Sequence, residues 1–389
     1  MSASSATVTV PIATPALGKQ RLAYIDWLRG FACLGMFEVH CYDSWLGGAS
    51  RGTSFYGWSR FSGILPAPLF LFISGLSLAL VMDRLRRKGL GGGAIARKTI
   101  RRGAEIFALG LLFRLQEFTL GQPGAPWTDL FRVDILNTIG LAIVFMGVFY
   151  WLAQNRTLVS CSLMAAGVAL GIALATPPLW TTWRPSWLPW YLESYVNGVH
   201  IFNSPQAWLF PIFPWVAFAF AGLAAGFLLF TDWSTSNPGK AIGLLGAGGI
   251  GIFCLSMWLD SRPAHLYATY DYWHTSPDYF LARVAILLVL LSAGYAWCRW
   301  GFGQAGFSPL VQIGQTSLLV YWVHIEFVYG RFSILKKGAQ GIPAATVGLL
   351  VIFAAMVLLS MVRTRAKGRG AELLTRLRRV LSPATGAFG

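Results

Sequence analysis

Asp26, Arg29 and His40 lie in one apolar stretch, Arg21 to Cys41, that is long enough to cross a bilayer. Charge in hydrocarbon is costly, so ionisable residues inside a span point to function. Ten residues separate Arg29 from His40. On an α-helix that step is about three turns, which sets the two side chains on nearly one face and roughly 16 Å apart along the axis. Asp26 precedes Arg29 by three residues, close enough to pair with it and to lower the cost of both charges. Histidine titrates near neutral pH, so His40 suits the removal of a proton from an attacking hydroxyl or amine. Glu38 is two residues away and belongs to another helical face.

A long ligand with an anionic head at the Arg29 end and a reactive tip at the His40 end fits this spacing. Acyl-coenzyme A has that shape, with phosphates, a thin pantetheine arm and a terminal thioester. Arginine suits phosphate because its guanidinium fork binds bidentately. Arg97, Lys98, Arg101 and Arg102 are the further candidates for the phosphates, and their alternative role is to set topology. His324 is expected at the depth of His40, as a second proton carrier, an acceptor ligand or a hydrogen-bonded interhelical group. Asp134 and Asn137, beside Arg132, are candidate polar lining for an acceptor, with helix capping as the other reading. Trp215 follows Pro211 and Pro214 and counts with the acceptor wall, as Pro66 and Pro68 shape the opposite side. Arg114 and Glu117, three apart, read as a structural pair. No cluster of His, Asp or Cys has metal-ligand spacing, so no metal is expected.

The elements that must hold these residues are membrane helices. The chain is 389 residues long, 55% hydrophobic and 12% charged, with mean hydropathy +0.57. Those values describe an all-α polytopic membrane protein. About ten stretches of spanning length follow one another, near 23–45, 61–82, 103–120, 133–153, 158–175, 208–230, 241–259, 280–300, 309–330 and 344–361. The net charge of +16 gathers in two runs, Asp83 to Arg102 and the tail from Arg363. Runs of that kind mark cytoplasmic flanks, which argues against nucleic acid as a partner and puts both termini in the cytoplasm. Residues 1–20 are then a flexible cytoplasmic leader without signal-peptide character, 21–363 the membrane domain, and 364–389 a basic amphipathic tail on the lipid bilayer. The five cysteines read as reduced packing residues. The segments Thr176–Gln206 and Asp260–Tyr279 are rich in Trp and Tyr, as either an interfacial belt or a sugar-stacking surface.

The run IDWLRGFACLGMFEVH resembles the Arg-x10-His signature of acyltransferase family 3, and its longer context resembles bacterial relatives of heparan-alpha-glucosaminide N-acetyltransferase. PLFLFISGLSLAL, FRVDILNTIGLA, FPIFPWVAFAFAGLAAG and GQTSLLVYWVHIEF are similar to the second group. The resemblance implies an enzyme of the bacterial inner membrane that takes an acyl group, often acetyl, from cytosolic acyl-CoA as co-substrate. It implies delivery to a hydroxyl or amine of an extracytoplasmic sugar or glycan, with Arg29 and His40 as the motif residues. In the animal enzyme the position of His40 is an asparagine and the active histidine lies in the next loop. Here that loop, Trp45 to Arg60, has no histidine, so the base falls to His40. A secondary transporter of a small polar solute is the alternative, although no internal repeat supports it. A scaffold subunit is disfavoured by the ionisable residues inside the spans.

Overall fold

The computed structural model describes residues 22–198, 209–263, 265–268, 271–301 and 306–381, the last with side chains to Lys367. The leader 1–20, His200 and the apolar tail face from Leu373 lie outside the residues so described. Helix α1 (Ala23–Trp45) is followed by the short α2 (Gly48–Arg51) and α3 (Ser54–Ser62), then by α4 (Pro66–Arg87) and α5 (Gly92–Leu120). A 3-10 turn, Trp127–Phe131, leads into α6 (Ile135–Ala153), α7 (Leu158–Thr181) and the short α8 (Trp190–Asn197). Then come α9 (Ile212–Leu229), the short α10 (Asp232–Ser236), α11 (Pro238–Asp260) and α12 (Pro277–Trp300). The last three are α13 (Pro309–Gly314), α14 (Ser317–Val328) and α15 (Ile342–Leu381). No strand occurs among the described residues, and the class is all-α.

Among the described residues, 7 helices are both long and apolar enough to cross a membrane: α4, α6, α7, α9, α11, α12 and α15. The other three expected stretches fall short, two through charge and one through a break. Helices α1 and α5 have the length, with 23 and 29 residues, but carry charge along it. The stretch 309–330 is not one helix, since it breaks at Gln315 and Thr316 into α13 and a 12-residue α14. These three stretches supply Arg29, His40, Arg114 and His324 to the interior, so their polarity and their chemistry have one origin.

Local sequence sets the helix ends that matter. Pro66 opens α4, where the missing N–H costs nothing. Asp134 caps α6 by accepting from Leu136 N–H, and Asn137 returns a bond to the Asp134 N–H. Phe213, just before Pro214, has φ −94° and ψ 122° and bends the start of α9 immediately ahead of Trp215. At the far end of α1, the carbonyls of Ser44 and Trp45 accept from the N–H groups of Gly338, Ala339 and Gln340, which leaves few orphan acceptors there.

Packing then fixes the height of α1 against α13 and α14. A Cβ on Gly30 would fall 1.9 Å from the Leu310 carbonyl oxygen, and one on Gly314 would fall 1.8 Å from that of Asp26. Only glycine admits so close a crossing, and α14 begins three residues beyond it. Thr316 donates to Ser360 at 2.7 Å, and Gln312 reaches Ser360 and Thr364 on α15 at 2.9 and 3.1 Å, so the break is braced by polar contacts. Phe37, Phe72, Phe113, Phe218 and Trp45 are fully buried around this frame.

Candidate active site

Helices α1, α4, α5, α6 and α14 surround two cavities. The first, about 350 Å³, is lined by Arg29, Ser74, Ser77 and Arg102 together with Ile and Leu side chains of α4, α6 and α14. The second, about 770 Å³, is lined by His40, Asp43, Arg114, Glu117, Arg132, Asp134, Trp215 and Tyr329, and α3 adds Tyr56, Ser59 and Arg60. Phe70, Ile135 and Tyr321 line both. Each helix passes the cavities in the same order: Arg29 then His40 on α1, Ser77 then Pro66 on α4, Arg102 then Glu117 on α5. The cavities are therefore stacked end to end along the helices, and the three shared residues form a neck between them.

His40 and His324 meet in the larger chamber. Their rings are nearly parallel, at 8°, and His40 Nδ1 lies 2.9 Å from His324 Nε2. His324 Nδ1 lies 3.0 Å from the Val320 carbonyl oxygen, which can only accept, so Nδ1 of His324 carries the proton. In the neutral pair, His324 Nε2 is then a lone pair and takes its hydrogen bond from His40 Nδ1–H. The remaining nitrogen of His40, Nε2, is left unprotonated. His324 is fully buried between Phe37 and Tyr321, whereas His40 is half-buried, lines the chamber and meets the edge of Tyr329. The two histidines expected at equal depth are in contact, and only His40 faces the cavity.

At the other end Arg29 binds Asp26 at 3.2 Å and donates to Ser77 Oγ at 2.6 Å. Asp26 is buried and Arg29 lines the smaller cavity. Of the four basic candidates on α5, only Arg102 reaches that cavity. Arg101 and Arg102 share Glu105 at 3.2 and 3.3 Å, and Arg97 and Lys98 are exposed outside the lining. Ser77 was not legible beforehand, because a lone serine in an apolar helix has no distinguishing pattern.

Asp134 serves both roles expected of it, as cap of α6 and as chamber lining, and it also accepts from Tyr321 Oη at 2.7 Å. Asn137 is fully buried, bonded to the Phe107 carbonyl at 3.3 Å and away from the lining, so it supports the wall instead of facing an acceptor. Trp215 lines the chamber, against Phe210. Arg114 and Glu117 do pair, at 3.6 Å, but they do so on the chamber wall, which the structural reading of that pair did not anticipate. Glu38 accepts from Ser62 at 2.7 Å, on its own face. Glu326, one turn from Trp322 on α14, accepts from Gln116 at 2.6 Å beside them. Sequence reading missed Tyr321 and Glu326, although Tyr321 stands three residues before His324 and so shares its helix face. Among the described residues, no group of three His, Cys, Asp or Glu side chains could hold a metal.

The chain is an all-α polytopic membrane protein whose interior holds an imidazole pair in one cavity and a salt-bridged arginine in the next. More particularly, the chain belongs to the heparan-alpha-glucosaminide N-acetyltransferase catalytic family, matched over residues 21–260, and is a membrane acyltransferase. The match runs from α1 to the end of α11, so α14, with Tyr321 and His324, lies beyond it. A comparison with curated proteins gave no match.

Proposed function

We propose that the chain moves an acyl group, acetyl in the first instance, from acyl-CoA in the Arg29 cavity to a hydroxyl or amine of a sugar or glycan in the His40 chamber. The observation that carries this reading is the oriented His40–His324 pair, set beyond a neck from a narrow cavity that has Arg29 on its wall. The smaller cavity suits a pantetheine arm: it is mostly apolar, with Arg29 and Arg102 as cations for phosphate. Arg97, Lys98 and Arg101, exposed nearby on α5, are proposed to extend that attraction outside the cavity. The proposed setting is a bacterial inner membrane with this end and both termini in the cytoplasm and the His40 end outside, an orientation that the basic runs support.

In the transfer, His40 Nε2 takes the proton from the acceptor as the acceptor attacks the thioester carbon. The carbon–sulfur bond then breaks, and the proton on His40 passes to the departing thiolate. His324 holds the ring so that Nε2, and not Nδ1, faces the chamber. It also receives the hydrogen bond that steadies the imidazolium. A general base of this kind contributes about 10²- to 10⁴-fold. Trp215 and Asp134 are the proposed acceptor contacts.

Purified protein in detergent is expected to gain thermal stability from acetyl-CoA, by about 2.7 kcal/mol at one hundred times Kd. It is also expected to move label from acetyl-CoA to methyl glucosaminide, a probe chosen from the family's name. Absence of both effects, with acetyl- and longer acyl-CoA alike, would remove the reading.

A further inference from the structure

Acyl transfer needs more than a base, because attack on a thioester places a negative charge on its oxygen. Three cations line the His40 chamber: Arg60, Arg114 and Arg132. Arg60 is on the exposed side of α3, and Arg114 is committed to Glu117 at 3.6 Å. Arg132 is different. It is half-buried, and its guanidinium has no hydrogen bond or ion pair with any described residue. Asp134, two residues on, is already taken up by Tyr321 Oη at 2.7 Å and by Leu136 N–H at 3.2 Å.

The position of Arg132 follows from the chain around it. It leaves the 3-10 turn Trp127–Phe131 three residues before Ile135, one of the three neck residues. It lines the same chamber as Tyr321 of the neck and as His40 and Tyr329 beyond it. A thioester emerging from the neck toward His40 would therefore pass an uncommitted guanidinium.

We propose that Arg132 is the oxyanion-stabilising residue of this site, a role that rests on the acyl-transfer reading above. As the acceptor's lone pair forms the new bond to the carbonyl carbon, the carbonyl π pair moves to oxygen, and Arg132 donates to that oxygen. When the pair returns, the carbon–sulfur bond breaks and the thiolate takes the proton held by His40. The products are acylated acceptor and free coenzyme A, and no other reactant is required.

The test uses full-length protein with acetyl-CoA isotope-labelled at the thioester carbonyl, read by infrared difference spectroscopy, with turnover measured on methyl glucosaminide. In the wild type the bound carbonyl stretch is expected below its free value, because the donor polarises it. Arg132→Gln should bind acetyl-CoA with an unchanged Kd, return the stretch to its free value and lower kcat by about 10²- to 10³-fold. His40→Ala should keep the lowered stretch while losing turnover. If Arg132→Gln keeps the wild-type frequency and kcat, or alters only the acceptor KM, the assignment is overturned. If the wild type itself binds no acyl-CoA, the acyl-transfer reading fails and this inference falls with it. Should Arg132→Gln not fold, Arg132→Lys is read instead. An intermediate frequency with about tenfold lower kcat supports the role, and wild-type values of both overturn it.

Discussion

The two cavities differ in how their polar groups are satisfied. In the smaller one each polar anchor has a protein partner: Arg29 has Asp26 and Ser77, and Arg102 has Glu105. In the larger one, Arg114 Nε is buried without a hydrogen-bond partner, the Arg132 guanidinium has no hydrogen bond or ion pair with any described residue, and the Glu117 carboxyl meets only the like group of Glu326 and the more distant Arg114. Buried polar atoms are ordinarily satisfied, and leaving one unpaired costs about 1 to 3 kcal/mol. Under the proposed acyl transfer, the contrast makes the smaller cavity a preformed site for one thin donor and the larger a chamber that a polar acceptor would complete. It teaches that the chamber should govern chemistry and acceptor choice, while the channel should govern donor affinity.

The strongest way to break that division is at His40. His40→Ala should lower kcat by about 10²- to 10⁴-fold and leave acetyl-CoA affinity, read by thermal shift, within about twofold. A variant that kept full transfer would end the role of the chamber as the chemical site. Next in size is His324, which never touches the chamber. His324→Leu removes the acceptor for His40 Nδ1–H and should cost roughly 10- to 100-fold in kcat, a coupling of about 1.4 to 2.7 kcal/mol. His324→Gln, whose amide oxygen can still accept, should recover part of that loss. Equal losses in both variants would point to packing alone, since Leu and Gln fill the space similarly but only Gln accepts the bond.

Much of the arrangement was legible in the residues themselves. The interval between Arg29 and His40 put them on one side of a helix, and in the structure they face successive cavities along it. The Asp26 partnership and the paired Arg114 and Glu117 followed from helical spacing and are present at 3.2 and 3.6 Å. What spacing could not give was any contact between distant segments. His40 and His324 are 284 residues apart, and their meeting depends on the Gly30 and Gly314 crossing, which no local pattern announces. Hydropathy also misled in one place. The run Pro309–Gly330 reads as a continuous span, yet it breaks at Gln315 and Thr316, where the Thr316 N–H turns to the Ile313 carbonyl and the Gln312 carbonyl accepts from Ser360 Oγ of α15 instead. Charge counting had the opposite limit: it could collect Arg97, Lys98, Arg101 and Arg102, but not tell that only Arg102 points into the cavity.

That last distinction gives the smallest and most discriminating effect. Arg29 sits inside the channel with its guanidinium spread between Asp26 and Ser77, whereas Arg97 and Lys98 stand in the open on α5. Arg29→Lys keeps the charge but loses the fork, so acetyl-CoA affinity should weaken about tenfold, or about 1.4 kcal/mol, with kcat little changed. Neutralising Arg97 and Lys98 together should cost less than about fivefold in affinity, because exposed charges are screened. The two effects should also part with salt. The Debye length falls from about 10 Å at 0.1 M to about 3 Å at 1 M, so the exposed pair's contribution should vanish in strong salt while that of Arg29 persists. If Arg29→Lys were as salt-sensitive as the exposed pair, Arg29 would be acting from a distance. The channel would then not be where the donor's anionic end is held.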